Sequence, residues 1–457
     1  MEGFEASMEG LEASIGALEA ADGALEAADG ALEAADGEPE AAIGAPEAAI
    51  GGPGLRSEGR EGWIRRGYRM GASGERPASG VAPRGPGALR ASGSRRISLR
   101  TMDLTIRGWR AVGPGKLESF EARAGVPGPG RVLVAVAGCG ICHTDLGYLY
   151  DGVPTQHPFP LVLGHEIVGT VVAAGDGAGE WNGRRVLVPA VSPCGRCRWC
   201  RAGRPTACRA SLMPGNDEDG GFASHVEVPA RWLSEIGAGE PPPGAGGLEL
   251  WELAVVADAV TTPLQAVRRA QVGPGDLAIV VGAGGVGVYA VQIARAAGAA
   301  VAAIDVTQER RARAVEYGAA LALAATENPK DIKAALRKLC RATGAAPDGW
   351  RVLETSGTRA GQELAWSLLT PGGSISVVGY TAAPGTFRLS NLMAYDATAY
   401  GNWGCAPALY PEALALVTAG TVRVRGLVRR ESLAEAPKII EAVHRGEIAE
   451  RVVLVPA

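Results

Sequence analysis

No run of about 18 uninterrupted apolar residues occurs in the 457-residue chain, so a transmembrane helix is not expected. Strong charge of either sign is missing too. The formal net charge is −4, which argues against a dedicated nucleic-acid or membrane-surface protein. Basic residues are absent before Arg56, and lysine is absent from there to Arg110. A start this acidic is not a mitochondrial transit peptide, which is arginine-rich and poor in acid. No secretory pattern opens the chain either. Its eight cysteines, four of them in one short stretch, therefore point to metal more than to a disulfide framework.

What is present divides into two materials. Residues 17–37 read ALEAADG three times. The seven-residue period invites a coiled coil, but each repeat offers one Leu and a Gly recurs at every seventh position. Gly costs about 1 kcal/mol against Ala in a helix interior, and one Leu per two turns makes a thin seam. A disordered, low-complexity extension is expected over residues 1–101. Met102 opens "MDLTIRGWRAVGPGKLE", where globular alternation begins, and translation starting at that methionine is one expectation for this boundary.

Beyond it, RVLVAVA (131–137), LVLGHEIVGTVVAAG (161–175), RRVLVPA and FASHVEVPA read as short strands with Gly/Pro punctuation. Such runs predict a barrel-like β domain over 102–259. Residues 277–306 then read strand, Gly-rich turn, helix, strand, a βαβ unit. RVLETSG and SISVVGY look like later parallel strands. A doubly wound α/β domain is expected over 260–408, and a last segment, 409–457, holds a helix at EAPKIIEAVHRG and a closing strand RVVLVPA.

Gly282, Gly284 and Gly287 form G-x-G-x-x-G, with Gly285 and Val286 inside the turn. Alone the motif is weak. Here it follows an apolar strand and opens a helix, whose N-terminus offers N–H donors to a pyrophosphate. Asp305 ends the next strand, where its carboxylate would accept from the adenosine ribose and repel a 2′-phosphate. NAD is therefore expected over NADP, with Arg310 assisting. The competing reading is a glycine-rich turn that binds nothing.

Cys194, Cys197, Cys200 and Cys208 read C-x2-C-x2-C-x7-C. Four thiolates at this spacing can close a tetrahedral shell around a structural zinc, leaving no open position. An iron–sulfur cluster also takes four cysteines, and free thiols are the third reading. A catalytic zinc needs about three protein ligands and one open position. "CGICHTD" (139–145) supplies Cys142, and "GHE" (164–166) supplies His165 and Glu166. Cys139 is the less favoured ligand. A thioredoxin-like use of C-x-x-C is set aside, because a helix start after a parallel strand is not expected there.

Together, this cysteine, GHE, the four-cysteine stretch and the βαβ unit make residues 102–457 resemble the zinc-dependent medium-chain alcohol dehydrogenases. The resemblance implies a GroES-like catalytic domain, a Rossmann domain and a C-terminal segment returning to the catalytic domain. It implies Cys142, His165 and Glu166 at the catalytic zinc. Asp145 would orient the ligand histidine, Thr144 would take the alcohol's proton, and His143 would contact the pyrophosphate. Two positions depart from the pattern. The third ligand, usually a cysteine, is Asp258, for which a helix N-cap is the rival role. The relay histidine is replaced by Gly147, and His157 is nearby only in sequence.

Within the family, "VPAVSPCGRC", "MPGNDEDGGFASHVEVPAR", "VVADAVTTPLQA", "LSNLMAYDA" and "GNWGC" are similar to the branch that oxidises 6-hydroxycyclohex-1-ene-1-carbonyl-CoA. That likeness implies an acyl-CoA substrate, NAD and a cytoplasmic homo-oligomer, while the two separate ligand sets predict two zinc ions per chain and the charge and hydropathy predict no nucleic-acid or membrane partner. A dehydrogenase of free alcohols or polyols, and a non-catalytic zinc- and NAD-binding protein, are the alternatives.

Overall fold

The computed structural model describes residues 101–237 and 247–457. The ALEAADG repeats and the arginine-rich stretch after them lie outside the described residues, and so does the expectation of a disordered extension.

The first described element is a hairpin of β1 (Thr101–Gly113) and β2 (Lys116–Gly125), antiparallel, with Gly115 at φ 67° in its two-residue turn. Bridges from Gly108 to Ala223 and from Ala111 to Leu161 fasten it to the next layer. That layer is a seven-stranded sheet. Its members are β3 (Arg131–Gly140), β4 (Glu166–Ala174), β5 (Arg185–Val188), β6 (His225–Pro229), β7 (Ser234–Glu235), β14 (Val428–Ser432) and β15 (Arg451–Val455). The order is β14-β15-β3-β4-β5-β7, with β6 also paired to β3. Strand β3 is buried along most of its length, because neighbours cover both of its faces. Val132, Val134, Val136, Leu161, Ile167 and Phe222 fill the core around it.

The second sheet is all parallel. Strands β8 (Leu277–Val281), β9 (Ala300–Asp305), β10 (Leu321–Ala324), β11 (Arg351–Glu354), β12 (Ser374–Val377) and β13 (Thr398–Gly401) stand in the order β10-β9-β8-β11-β12-β13. Every residue of β8 is buried, as expected for a strand with helices on both faces. The strand order reverses between β8 and β11, and the carboxyl ends of strands at such a switch point are the usual ligand position in these sheets. The architecture is thus a GroES-like β domain joined to a Rossmann-type α/β domain.

The halves are not independent. Val168 and Leu187 of the first sheet share one apolar cluster with Val280 of the second and with Leu264 and Tyr289 of the helices beside it. Tyr410, Ala413 and Val417 belong to that same cluster, so the helix Tyr410–Thr418 packs with the Rossmann side. Residues from Val428 onward return to the first sheet. There Val453 and Leu454 pair antiparallel with Gly140 and Cys139. The last helix spans Ala436–His444, within the stretch expected.

Candidate catalytic and metal sites

Strand β3 ends at Gly140, and two residues later Cys142 caps helix α1 (His143–Leu149); the next helix, α2 (Arg198–Arg201), is a single turn within the four-cysteine stretch. Asp145 Oδ2 accepts from the Cys142 amide at 2.9 Å, the return half of a capping box. Its other oxygen accepts from the Gly164 amide at 3.1 Å and lies 3.2 Å from His165 Nδ1. One buried carboxylate thereby fixes both the cysteine's backbone and the imidazole ring. With Nδ1 engaged, Nε2 is the nitrogen left to face a metal. Gly164 must be glycine: its φ is 98°, and a Cβ would stand 2.6 Å from the Phe222 ring and 2.8 Å from Cys139 Sγ.

The sequence contains C-x-x-C at a helix start after all, but β3 is antiparallel to β4, β6 and β15. Cys139 faces the core, and burial pushes its thiol well up. The helix start was not expected, but the strand before it is not parallel, as expected, so the pair lacks the thioredoxin-like setting.

Cys142 Sγ, His165 Nε2 and Asp258 Oδ2 converge, all within 4.8 Å of one another. Oδ2 is 3.8 Å from Sγ and 3.6 Å from Nε2. Tetrahedral zinc with bonds of about 2.0–2.3 Å separates its ligand atoms by roughly 3.5 Å, so the donor set fits. Burial alone would raise the Asp258 carboxyl. The hydrogen bond and charge of His165, with the Thr262 hydroxyl, bring it down to about 2. Burial likewise opposes the charged form of His165, but Asp145 and then Asp258 and Cys142 hold its pKa well above the usual value. Thr144 Oγ1 lies 3.6 Å from Cys142 Sγ, at the edge of the trio.

The N-cap role considered for Asp258 is not what the geometry shows. Helix α3 (Thr261–Arg269) has no side-chain cap, and the Thr262 amide bonds to the Asp258 backbone carbonyl at 2.9 Å. The carboxylate Oδ1 takes the Thr262 hydroxyl instead, at 2.6 Å.

Glu166 does not join the trio, which corrects its placement among the metal ligands. Its two oxygens pair with Arg451, Nε to Oε2 at 3.1 Å and Nη2 to Oε1, and Oε1 also accepts from the Ala259 amide at 3.1 Å. A fully buried carboxylate needs such partners. The sequence reading missed both Arg451 and Thr262. The signal for Arg451 was a single charge opening the apolar run RVVLV; Thr262 carried none.

The glycine turn is built as its motif requires. Gly282 has φ 93°, and a Cβ there would stand 2.5 Å from Ser356 Cα; at Gly287 it would stand 1.8 Å from Gly282 O. Gly284 and Gly285 are open except for Arg310, 3.9 Å away, and Arg451, 3.4 Å away. Val286 caps helix α4 (Gly287–Ala296). Burial, then the charges of Arg451 and Arg310, lower the pKa of His143. Arg451 thus stands between the turn and Glu166.

Asp305 is braced rather than open. Its oxygens accept from the Ala283 amide at 2.8 Å and the Thr307 amide at 2.9 Å, with Arg310 4.0 Å away. His157 Nδ1 is 2.7 Å from the Pro158 carbonyl. Gly147 is buried on α1, and a side chain there would meet Val153 at 3.3 Å.

The four cysteines form the second group, again within 4.8 Å. The Cys194 amide points at Cys208 Sγ, 3.3 Å, and the Cys197 amide at Cys194 Sγ, 3.4 Å. Donors at Arg196 and Cys197 bring the Cys194 thiol down to about 6, which favours the thiolate a metal requires. Trp232 Nε1 donates to the Pro193 carbonyl at 2.8 Å and anchors the lobe.

Residues 128–238 match the alcohol dehydrogenase GroES-like domain family, and residues 285–419 match the zinc-binding dehydrogenase family. An alcohol dehydrogenase of Moraxella sp. is 30% identical over 342 residues, 74% of this chain and 95% of that protein. The chain belongs to the zinc-dependent medium-chain alcohol dehydrogenases. A sorbitol dehydrogenase of Halalkalibacterium halodurans is also 30% identical to this dehydrogenase, over 75% of the chain and 97% of that protein. Acetophenone reductase from Geotrichum candidum, solved in complex with NAD, superposes with a TM-score of 0.66 at 28% identity, covering 77% of the chain and 97% of the reductase.

Proposed function

We propose that this dehydrogenase oxidises an alcohol to a carbonyl compound with NAD, the reacting oxygen lying at a zinc ion on Cys142, His165 and Asp258. The converging trio carries the reading: three unlike donors at tetrahedral separations, linked through Glu166 and Arg451 to a dinucleotide-type turn. Bound there, zinc supplies a Lewis acid for the alcohol oxygen and NAD supplies the hydride acceptor. The chain's own residues do the rest. Asp145 keeps His165 in one orientation. Thr144 offers the hydroxyl next to the trio that takes the alcohol's proton. His143, Arg310 and Arg451 meet a pyrophosphate at the start of α4, where the helix N-terminus adds its own positive end. Asp305 disfavours a 2′-phosphate at the adenosine end. The four-cysteine lobe holds a second, structural zinc.

At finer grain, the substrate is the ring alcohol of an alicyclic acyl-CoA, 6-hydroxycyclohex-1-ene-1-carbonyl-CoA, oxidised to the 6-oxo thioester as in anaerobic benzoyl-CoA breakdown. The sequence likeness supports this, and so does Asp258. A carboxylate donates less electron density than a thiolate and leaves zinc the stronger electrophile, which suits an oxygen conjugated with an enoyl thioester. A free alcohol or polyol is the second reading, and the alcohol and sorbitol dehydrogenase relatives favour it. NADH formation with the alicyclic hydroxyacyl-CoA against matched free alcohols and sorbitol separates the two. Turnover of the thioester alone supports the first; turnover of free alcohols at equal or higher kcat/KM replaces it with the second; none with any alcohol ends the dehydrogenase reading.

The proposal includes a homo-oligomer, supported by Leu389 and Met393, 71% and 79% exposed, on the segment leading to edge strand β13. It includes a cytoplasmic enzyme; among the described residues no helix is long and apolar enough to cross a membrane.

A further inference from the structure

Aspartate in a metal site brings a difficulty that cysteine does not. A thiolate has one donor atom. A carboxylate has two equivalent oxygens, and both can bind one ion. At the trio a second oxygen would take the position that a substrate must use. Asp258 arrives with that ambiguity already resolved. Oδ2 faces Cys142 Sγ and His165 Nε2, while Oδ1 is engaged by the Thr262 hydroxyl at 2.6 Å.

We propose that Thr262 is a positioning residue that restricts Asp258 to a single metal-facing oxygen and so keeps the fourth coordination position free. The proposal rests on the reading of Asp258 as a zinc ligand.

Thr262 is well placed for this task. It is 7% exposed and lies in the first turn of α3. Its amide already bonds to the Asp258 carbonyl, so hydroxyl and amide grip the same residue from one side. A β-branched side chain in a helix has few χ1 choices, so the hydroxyl is held rather than found by chance. Its neighbour Thr261 does something different: its hydroxyl bonds to the Ala257 carbonyl at 3.1 Å and lies 3.4 Å from the Asp258 carbonyl. Of the two threonines, only Thr262 bonds to the carboxylate. The arrangement mirrors the other side of the trio, where Asp145 fixes which nitrogen His165 presents. Each polar ligand with a choice of donor atom has one partner that makes the choice.

The test uses the full chain, with cobalt in the open site and zinc in the lobe. Thr262→Val keeps the shape and removes the donor. Its visible cobalt bands are expected to weaken, as they do when coordination rises above four, and kcat is expected to fall about 10–100-fold, the usual range for losing such a partner. Thr262→Ser is expected to restore both. Thr261→Val serves as the structural control, with a lowered Tm and unchanged bands. Metal retained in the four-cysteine lobe reports folding, and Thr262→Ala replaces the valine variant if that one does not fold. Unchanged bands and kcat in Thr262→Val, in a protein whose Asp258→Asn variant loses the open-site metal, overturn the proposal and leave the ligand reading standing. Equal band changes in Thr261→Val also overturn it, since the cause is then a loosened helix start. Full open-site metal in Asp258→Asn ends the ligand reading itself.

Discussion

The four-cysteine lobe and the Cys142–His165–Asp258 trio each bring their donor atoms within 4.8 Å of one another, yet they are built in opposite ways. The lobe takes all four donors from residues 194–208, one short stretch that holds single helical turns at Arg198–Arg201 and Pro205–Ala207, with Gly195 and Gly203 in left-handed conformations. The trio draws one donor from a helix cap, one from the loop before β4 and one from the end of the 3-10 helix Leu250–Ala257. Cys142 and Asp258 are 116 residues apart. Turn geometry alone assembles the first site, whereas the second exists only once three segments distant in sequence have packed on the first sheet. A closed site of identical thiolates is therefore a folding device, and an open site of mixed donors is a chemical one.

That contrast can be broken by substitution. Cys142→Ser should reduce turnover by about a thousandfold, the upper range for removing a group that stabilises developing charge, while the lobe's zinc and Tm stay in place. A comparable loss of Tm would show that the trio is structural too. Cys197→Ser should do the converse. The lobe loses its zinc, and stability falls by several kcal/mol, a drop in Tm of roughly 10 °C, because metal binding is folding free energy. Turnover per folded molecule should remain within about threefold; a collapse of kcat without a change in Tm would erase the distinction. Asp145→Asn keeps the size of the side chain but weakens its hold on His165. A loss of about 10–100-fold in activity or open-site zinc affinity is expected, read by metal analysis after chelator challenge; an unaffected site would mean that Cys142 and Asp258 suffice to orient it. The smallest effect is at Asp305→Ser, whose partners are Ala283, Thr307 and Arg310 rather than any metal donor. The preference for NAD over NADP should relax by about tenfold, about 1.4 kcal/mol, with both zinc ions retained. Equal use of the two cofactors by the unmodified enzyme would show that Asp305 only braces Ala283 and Thr307.

The same contrast explains what could be read before the fold was known. The C-x2-C-x2-C-x7-C spacing and the glycine turn are local, so their geometry was legible as written. Short Gly-punctuated strands and the βαβ unit gave both domain classes for the same reason. Cys142 and His165 were nominated from two short motifs, but Asp258 was reached only through family resemblance, since nothing in the spacing joins it to them. Glu166 was assigned to the metal because its partner, Arg451, lies 285 residues away and no pattern connects the two. Thr262 was invisible because a threonine near a helix start has many ordinary uses. Asp305 was read as open because a sequence does not show that the Ala283 and Thr307 amides already occupy its oxygens.

The closing strand, Arg451–Val455, has a consequence in time. Glu166 and Arg451 are separated by 285 residues, which at roughly 5–20 residues per second is about 15–60 s of synthesis. During that interval the nascent β domain holds a carboxylate destined for full burial with no cation beside it. The end of β3 that carries Cys139 and Gly140 also lacks the strand that will pair there. An uncovered edge on an apolar strand is a template for wrong partners. The catalytic half is therefore made first and finished last, and while the chain is still on the ribosome it depends on whatever shields that edge in the meantime.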